Sequence, residues 1–359
     1  MPSPRLDSLT GLRFPAALAV FAFHASVHST PGDVRDVALA IAGRGYTGVS
    51  FFFVLSGFVL TWSLRSEDTP VAFYRRRFAR IAPTYWVCLV GALLLQVLGT
   101  RQVGEPLLNA VPSFLAVQAW WPWEAIHYGA NGPGWSISAE MFFYAVFPLL
   151  LLVARSSRGP VGLGVLAAVL ALGPALVLQP ASADATTAGW FIYVLPLTRL
   201  ADFVVGILLA LAMRRGWRPA PGLGAALALT AALYAVSGVL PVWATVNLAT
   251  LAGFALVIAA AAGRDVSGRG SIWTSPLAVR LGEWSFAFYL VQASVLKVQH
   301  EAVKVLGLGA ALEWVTVLLA LAVSLALAAL LHTVVERPFE RRLRGGPAGA
   351  SVSERTRSA

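Results

Sequence analysis

The sequence predicts an all-α membrane protein, a polytopic transmembrane helical bundle of about 10 spans with both termini cytoplasmic. Two compositional facts and one pattern carry this. Of 359 residues, 58% are hydrophobic and only 12% charged, about half the charged share of a soluble domain, and mean hydropathy is +0.73. Apolar runs of about 20 residues, the length that crosses a hydrocarbon core, recur along the chain. The segments between them are alternately rich and poor in arginine, as the positive-inside bias requires. A water-soluble enzyme, a disordered chain and a disulfide scaffold are excluded. The single cysteine, Cys88, lies in an apolar run, so no disulfide can form within the chain.

Taken in order, the expected spans are 11–28, 46–64, 83–99, 136–154, 161–179, 190–213, 223–240, 244–262, 282–300 and 311–335. The stretch 106–123 is shorter and is broken by Pro112 and Pro122. With its Trp120, Trp121 and Trp123 it reads as an interfacial or re-entrant piece. With the N-terminus inside, the inner segments collect Arg5, Arg13, Arg65, Arg75, Arg76, Arg77, Arg80, Arg155, Arg158, Arg214, Arg215, Arg218, Arg264, Arg269, Arg280 and the arginines from Arg337 onward. The outer segments hold only Arg35, Arg44, Arg101 and Lys304. Counting 106–123 as a further span would reverse every later segment, so it is left out. The net charge of +10 is therefore topology rather than a nucleic-acid footprint. The first run is interrupted by His24 and lacks a small-x-small cleavage site, so it is not a cleaved signal peptide. One membrane-embedded domain is expected over 1–340, with a basic, disordered cytoplasmic tail over 341–359.

Ionisable groups within spans are costly and are functional candidates. Arg13 and His24 stand eleven residues apart, about three helical turns, so both face the same way with a rise of about 16 Å. One reading is structural: Arg13 snorkels to headgroups and His24 bonds a neighbouring helix. The other puts a cation at the inner mouth and a base at mid-membrane on one stripe. Ser56 and Gly57 form a small-residue notch, for close helix approach or for a ligand beside the first helix. The inner loop 73–83 carries Arg75, Arg76, Arg77 and Arg80, either a topology anchor or a phosphate site. After the Gly-Pro-Gly turn, Trp135-Ser136-Ile137-Ser138-Ala139-Glu140 runs into an apolar helix. Ser136 or Ser138 suits a cap there, and Glu140 at the membrane edge suits a dipole or proton-handling role. Arg199 and Asp202, three apart, are expected to pair. No metal-ligand spacing, Walker loop, nucleophile elbow or dinucleotide fingerprint is present.

Combined, these motifs resemble the acyltransferase-3 family of integral-membrane O-acyltransferases. Arg13, ten residues, then His24 is similar to the family's opening-helix signature. The Phe51–Phe58 run, Arg77-x-x-Arg80, Trp135–Glu140, Leu281–Phe286 with Tyr289-Leu290, and Val335-Glu336-Arg337-Pro338 follow in the family's order. Two positions depart. Family members often carry two glutamates after the Trp-Ser motif, where this chain has Glu140 and Met141. The late Tyr-Leu is commonly followed by His, where this chain has Gln292.

The resemblance implies acyl transfer, acetyl by default, from acyl-CoA as co-substrate to a hydroxyl of a carbohydrate, glycolipid or glycosylated natural product such as a macrolide. No bound cofactor and no metal are expected. His24 would be the general base or a transient acyl carrier, and Glu140 would orient the acceptor or assist proton transfer. Arg13, Arg77 and Arg80 would hold the donor; Ser56, Gly57, Trp135 and Ser136 are pocket candidates. The expected partners are lipid bilayer, acyl-CoA and the hydroxyl-bearing acceptor, with no nucleic acid. Arginine-rich, Ala/Gly/Pro-rich usage suits a high-GC bacterium, hence a multi-pass bacterial plasma-membrane location. The competing reading is a transporter or lipid-binding protein whose His24, Arg199 and Asp202 line a pathway, although no repeat is visible.

Overall fold

A computed structural model describes residues 5–64, 69–178 and 185–343, and among these there is no β-strand. In chain order the helices are α1 (Asp7–His28), α2 (Asp33–Ala42), α3 (Gly48–Trp62), α4 (Pro70–Thr100), α5 (Gly104–Phe114), α6 (Glu124–His127), α7 (Trp135–Arg155) and α8 (Gly159–Leu178). They continue as α9 (Ala185–Gly189), α10 (Pro196–Arg214), α11 (Leu223–Val236), α12 (Val242–Ala244), α13 (Leu251–Val266), α14 (Pro276–Leu306), α15 (Ala310–Leu331) and α16 (Arg337–Leu343). Three π-helical turns interrupt them: Trp190–Val194 ahead of α10, Thr245–Thr250 ahead of α13, and His332–Glu336 between α15 and α16.

Each of the ten expected runs coincides with a helical segment, and the protein is a polytopic membrane bundle. Among the described residues seven segments are long and apolar enough to cross a membrane: Asp7–His28, Arg35–Trp62, Pro70–Thr100, Gly132–Arg155, Thr186–Arg214, Val242–Val266 and Leu312–Arg342. Gly159–Ala175 and Leu223–Val239 are shorter apolar helices. The stretch 106–123 holds α5 and a 3-10 turn, Gln118–Trp120; α5 is too short to cross. Leucines and valines such as Leu98, Val165, Leu318 and Leu330 remain exposed on outward faces. So much exposed apolar surface suits hydrocarbon rather than water.

Three boundaries differ from expectation for identifiable reasons. The arginine segment 73–83 is not a loop: α4 begins at Pro70, with Thr69 capping the Ala72 amide at 3.2 Å. Both Pro70 and Pro83 suit a helix start, but only Pro70 follows a capping threonine, so Pro83 ends up inside the helix. Ser136 and Ser138 do not cap α7. Ser136 Oγ donates to the Pro133 carbonyl at 2.9 Å and Ser138 Oγ accepts from the Ala119 amide at 3.3 Å. Residues 341–343, expected in the tail, are helical, since α16 runs from Arg337 through Leu343. The rest of the expected tail, 344–359, lies outside the described residues, as do Arg65 and Gln179.

Two helix pairs position the site. α1 and α14 run parallel, joined by the Phe14, Phe21 and Phe288 rings, with centroids 5.5 and 5.8 Å apart. α3 and α10 cross at Gly57 and Gly206. A Cβ on Gly57 would collide with the Phe203 carbonyl, and one on Gly206 with the Val54 carbonyl. The notch therefore receives α10 rather than a ligand beside α1. Gly57→Val is expected to cost about 1–3 kcal/mol through overpacking, seen as a lower thermal midpoint in detergent.

Candidate active site

A cavity of about 630 Å³ lies between the start of α1 and the first turn of α16. Its wall is built from the first two turns of α1, one face of α3, the arginine turn of α4, the start of α7, α14, and the α15–α16 junction. Every charged side chain in its wall is an arginine or a glutamate: Arg5, Arg13, Arg77, Arg80 and Arg337, with Glu140, Glu283, Glu336 and Glu340. A second, larger cavity of about 710 Å³ between α4, α14 and α15 is lined by no charged side chain. Ion chemistry belongs to the first.

The arginines reach the cavity because helix geometry puts them there. Arg77 and Arg80 are three apart on α4 and share the face that meets the cavity, whereas Arg75 is exposed. Arg80 lies 3.9 Å from Glu340, and Arg337 lies 3.3 Å from Glu283. Arg13 makes no hydrogen bond or ion pair among the described residues. It stands within electrostatic reach of Arg80, Glu336 and Glu140. An unpaired guanidinium in a membrane-embedded wall is costly unless an anion completes it.

Glu140, expected near the start of its helix, lines the cavity. It is in the second turn of α7, which begins at Trp135. Ser56 Oγ donates to Glu140 Oε1 at 3.0 Å, and the Tyr144 hydroxyl donates to the same oxygen. Ser56 thus binds through its hydroxyl. Its neighbour Gly57 serves packing. Ser136 also lines the cavity, with its hydroxyl 3.0 Å from that of Tyr289. Trp135 does not line it. Its ring is buried against Phe53 and Tyr193.

His24 stands apart from the charged cavity, whose wall ends at Ser136 and Tyr289. Nδ1 of His24 lies 2.7 Å from Nε2 of the Gln292 carboxamide, one helical turn beyond Tyr289. Gln292 is fully buried; this is the position where the family pattern has histidine. The Phe23 ring lies 5.4 Å from the imidazole, and Tyr46 and Tyr193 continue the aromatic row away from the charged cavity. Phe52 and Tyr289, with centroids 6.0 Å apart, stand at the cavity's deep end.

Sequence reading missed Tyr144 and the pairing of His332 with Glu336, and it noted Tyr289 and Gln292 only as motif positions, not as the partners of Ser136 and His24. His332 and Glu336 are spaced i, i+4 at the end of an otherwise apolar run. That spacing was the available signal. Arg199 and Asp202 pair as expected and are wholly buried, lining neither cavity.

Comparison with known proteins gives the class: the acyltransferase domain family matches residues 6–333, and the chain belongs to the acyltransferase-3 family. It is 40% identical to the acyltransferase MdmB of Streptomyces mycarofaciens over 365 residues, covering 94% of this chain and 92% of that protein. It is 29% identical to the exopolysaccharide production protein ExoZ of Rhizobium meliloti, covering 87% and 94%. The peptidoglycan O-acetyltransferase OatA of Listeria monocytogenes is 30% identical over 46% of this chain and 28% of its own length. No solved structure matches.

Proposed function

We propose that this protein is an acyl-CoA-dependent O-acyltransferase of a bacterial plasma membrane. It has ten spans and both termini cytoplasmic, and residues 1–340 form the catalytic domain. The donor enters the Arg13 cavity from the cytoplasm. The acyl group, acetyl by preference, passes to a hydroxyl of a carbohydrate, glycolipid or glycosylated natural product such as a macrolide. The observation that carries the reading is Arg13: a guanidinium with no hydrogen bond or ion pair among the described residues, beside Arg77 and Arg80, in the wall of a cavity large enough for a ligand. Guanidinium forks match phosphate oxygens, and coenzyme A is rich in phosphate.

In the chemistry proposed, His24 Nε2 takes the proton of the acceptor hydroxyl. The oxygen bonds the thioester carbonyl carbon, the C–S bond breaks, and the coenzyme A thiolate leaves and is protonated. A base at Nε2 requires proton-bearing Nδ1, which the Gln292 carboxamide satisfies when its oxygen faces the ring; carboxamide orientation follows the hydrogen-bond network. Glu140, held by Ser56 and Tyr144, keeps its second oxygen available to orient the acceptor or to relay the proton. The sealed Arg199–Asp202 pair supports an enzyme over a transporter, since neither residue meets a pathway.

The test is release of free coenzyme A thiol from acetyl-CoA by the purified, reconstituted protein, with and without a macrolide glycoside or a hexose-bearing envelope glycan. Acceptor-dependent release with a matching mass gain on the acceptor is expected. Solute flux without thiol release would overturn the reading. Arg13→Gln should raise KM for acetyl-CoA by about tenfold or more, the worth of a charge-assisted hydrogen bond, with a smaller effect on kcat.

A further inference from the structure

The wall of the Arg13 cavity changes character along its length. α1 contributes to it only as far as Arg13, and α14 passes through Glu283 and Phe286 to Tyr289. On α3 the residues Val49, Phe52, Ser56 and Val59 fall at i, i+3, i+7 and i+10, one face of the helix turned to the cavity. The two rows meet where the Phe52 and Tyr289 rings lie 6.0 Å apart between centroids. The reaction scheme above gives neither ring a part.

The two rings are held in different ways. The Tyr289 hydroxyl lies 3.0 Å from that of Ser136 and donates to the Pro133 carbonyl at 3.2 Å, so hydrogen bonds fix the far end of a buried ring. Phe52 has no polar side-chain atom, and only packing holds it. It lies against the apolar cluster of Ala17, Phe21 and Phe288, and part of its surface is open. Ala17 is one turn past Arg13 on the stripe that leads to His24. Phe52 therefore fills the space into which the cavity would otherwise extend along α1. Packed neighbours relax only partly around a truncated side chain, so a smaller residue there lengthens the cavity.

The acyl group is the end of a coenzyme A thioester furthest from its phosphates. With the phosphates on Arg13, Arg77 and Arg80, the acyl group lies at the deep, aromatic end. We propose that Phe52 sets the length of the acyl chain: its ring, closed against the fixed Tyr289, admits an acetyl group and turns away longer chains. The assignment rests on the acyl-CoA reading above, and it supplies a physical cause for the acetyl preference given there. The wall selects by exclusion, since added methylenes find no free volume against a packed ring.

The experiment measures kcat/KM of the reconstituted protein and of Phe52→Ala, Phe52→Leu and Phe52→Trp with acetyl-, propionyl-, butyryl- and hexanoyl-CoA, by acceptor-dependent thiol release. The ratio of butyryl to acetyl is taken within one preparation, so a variant that folds less well still reports it. The unsubstituted protein should prefer acetyl. Phe52→Ala should raise the ratio at least tenfold, within the roughly 10–200-fold that one methylene is worth in an apolar pocket. Phe52→Leu should raise it less, and Phe52→Trp should lower propionyl against acetyl. A merely structural role would change all four donors alike. That result would overturn the proposal, as would an unsubstituted protein that uses hexanoyl-CoA as readily as acetyl-CoA. No turnover of any of the four donors by the unsubstituted protein would instead overturn the acyl-CoA reading, and this assignment with it.

Discussion

Replacing His24 by alanine should lower acyl transfer by roughly two to four orders of magnitude, the range typical of losing a positioned general base, while the protein still folds. The packing of the α1–α14 interface is carried by Phe14, Phe21 and Phe288, so size-exclusion behaviour should be kept, while the thermal midpoint should fall modestly, because the buried Gln292 carboxamide loses its partner at a cost of about 1–3 kcal/mol. Residual thiol release from acetyl-CoA should persist at the background rate of an occupied cavity, because the donor site is built from other residues. The partner gives a finer check. Gln292→His restores the residue type usual for the family and can still bond Nδ1, so substantial activity should remain. Gln292→Leu removes the hydrogen bond at similar volume and should cost about tenfold in kcat with KM for the donor unchanged. Activity of His24→Ala equal to that of the unsubstituted protein would remove His24 from the chemistry.

The sequence was most readable where a single physical rule decided the outcome. Apolar run length placed every principal helix, since no other arrangement hides 20 backbone amides from hydrocarbon. Spacing alone grouped Arg77 with Arg80, and Arg199 with Asp202. Legibility failed where two rules competed or where contacts came from distant segments. Pro83 looked like a helix start only until the capped Thr69–Pro70 start was weighed against it. The contact of Glu140 with Ser56, 84 residues earlier, was not legible because it depends on how α7 packs against α3, which is not written in α7. The partnership of His24 with Gln292, 268 residues along the chain, depends on α1 and α14 lying in parallel register, which local pattern does not encode. His332 and Glu336 were legible in principle, since they meet at the regular i, i+4 spacing, but that spacing stood unremarked at the end of an apolar run.

The largest effect on stability is expected from Asp202→Ala. Arg199 is completely buried, paired with Asp202, and donates to Ser50 Oγ at 2.5 Å and Asn247 Oδ1 at 3.3 Å. The Phe53 and Tyr193 rings flank the guanidinium, with centroids 5.6 and 5.8 Å away. Asn247 in turn donates to the Ala171 carbonyl of α8 at 3.1 Å, so one charged cluster ties α3, α8, α10 and the π-turn ahead of α13. Removing the carboxylate strands a cation with neutral partners only, at a cost of about 3–5 kcal/mol. Removing both charges removes the problem: Arg199→Met with Asp202→Leu should recover most of the loss, because an apolar pair of similar volume needs no desolvation. Thermal unfolding in detergent of the two single variants and the double variant measures this directly. A double variant no more stable than Asp202→Ala would show that the cluster holds the helices through its hydrogen bonds rather than by charge balance. The consequence for activity follows from position. Ser50 lies between Val49 and Phe53, both in the wall of the Arg13 cavity, so the cluster sets that wall without touching a ligand. Activity of Asp202→Ala should therefore fall in proportion to its folded fraction, with KM for acetyl-CoA unchanged in the molecules that remain folded.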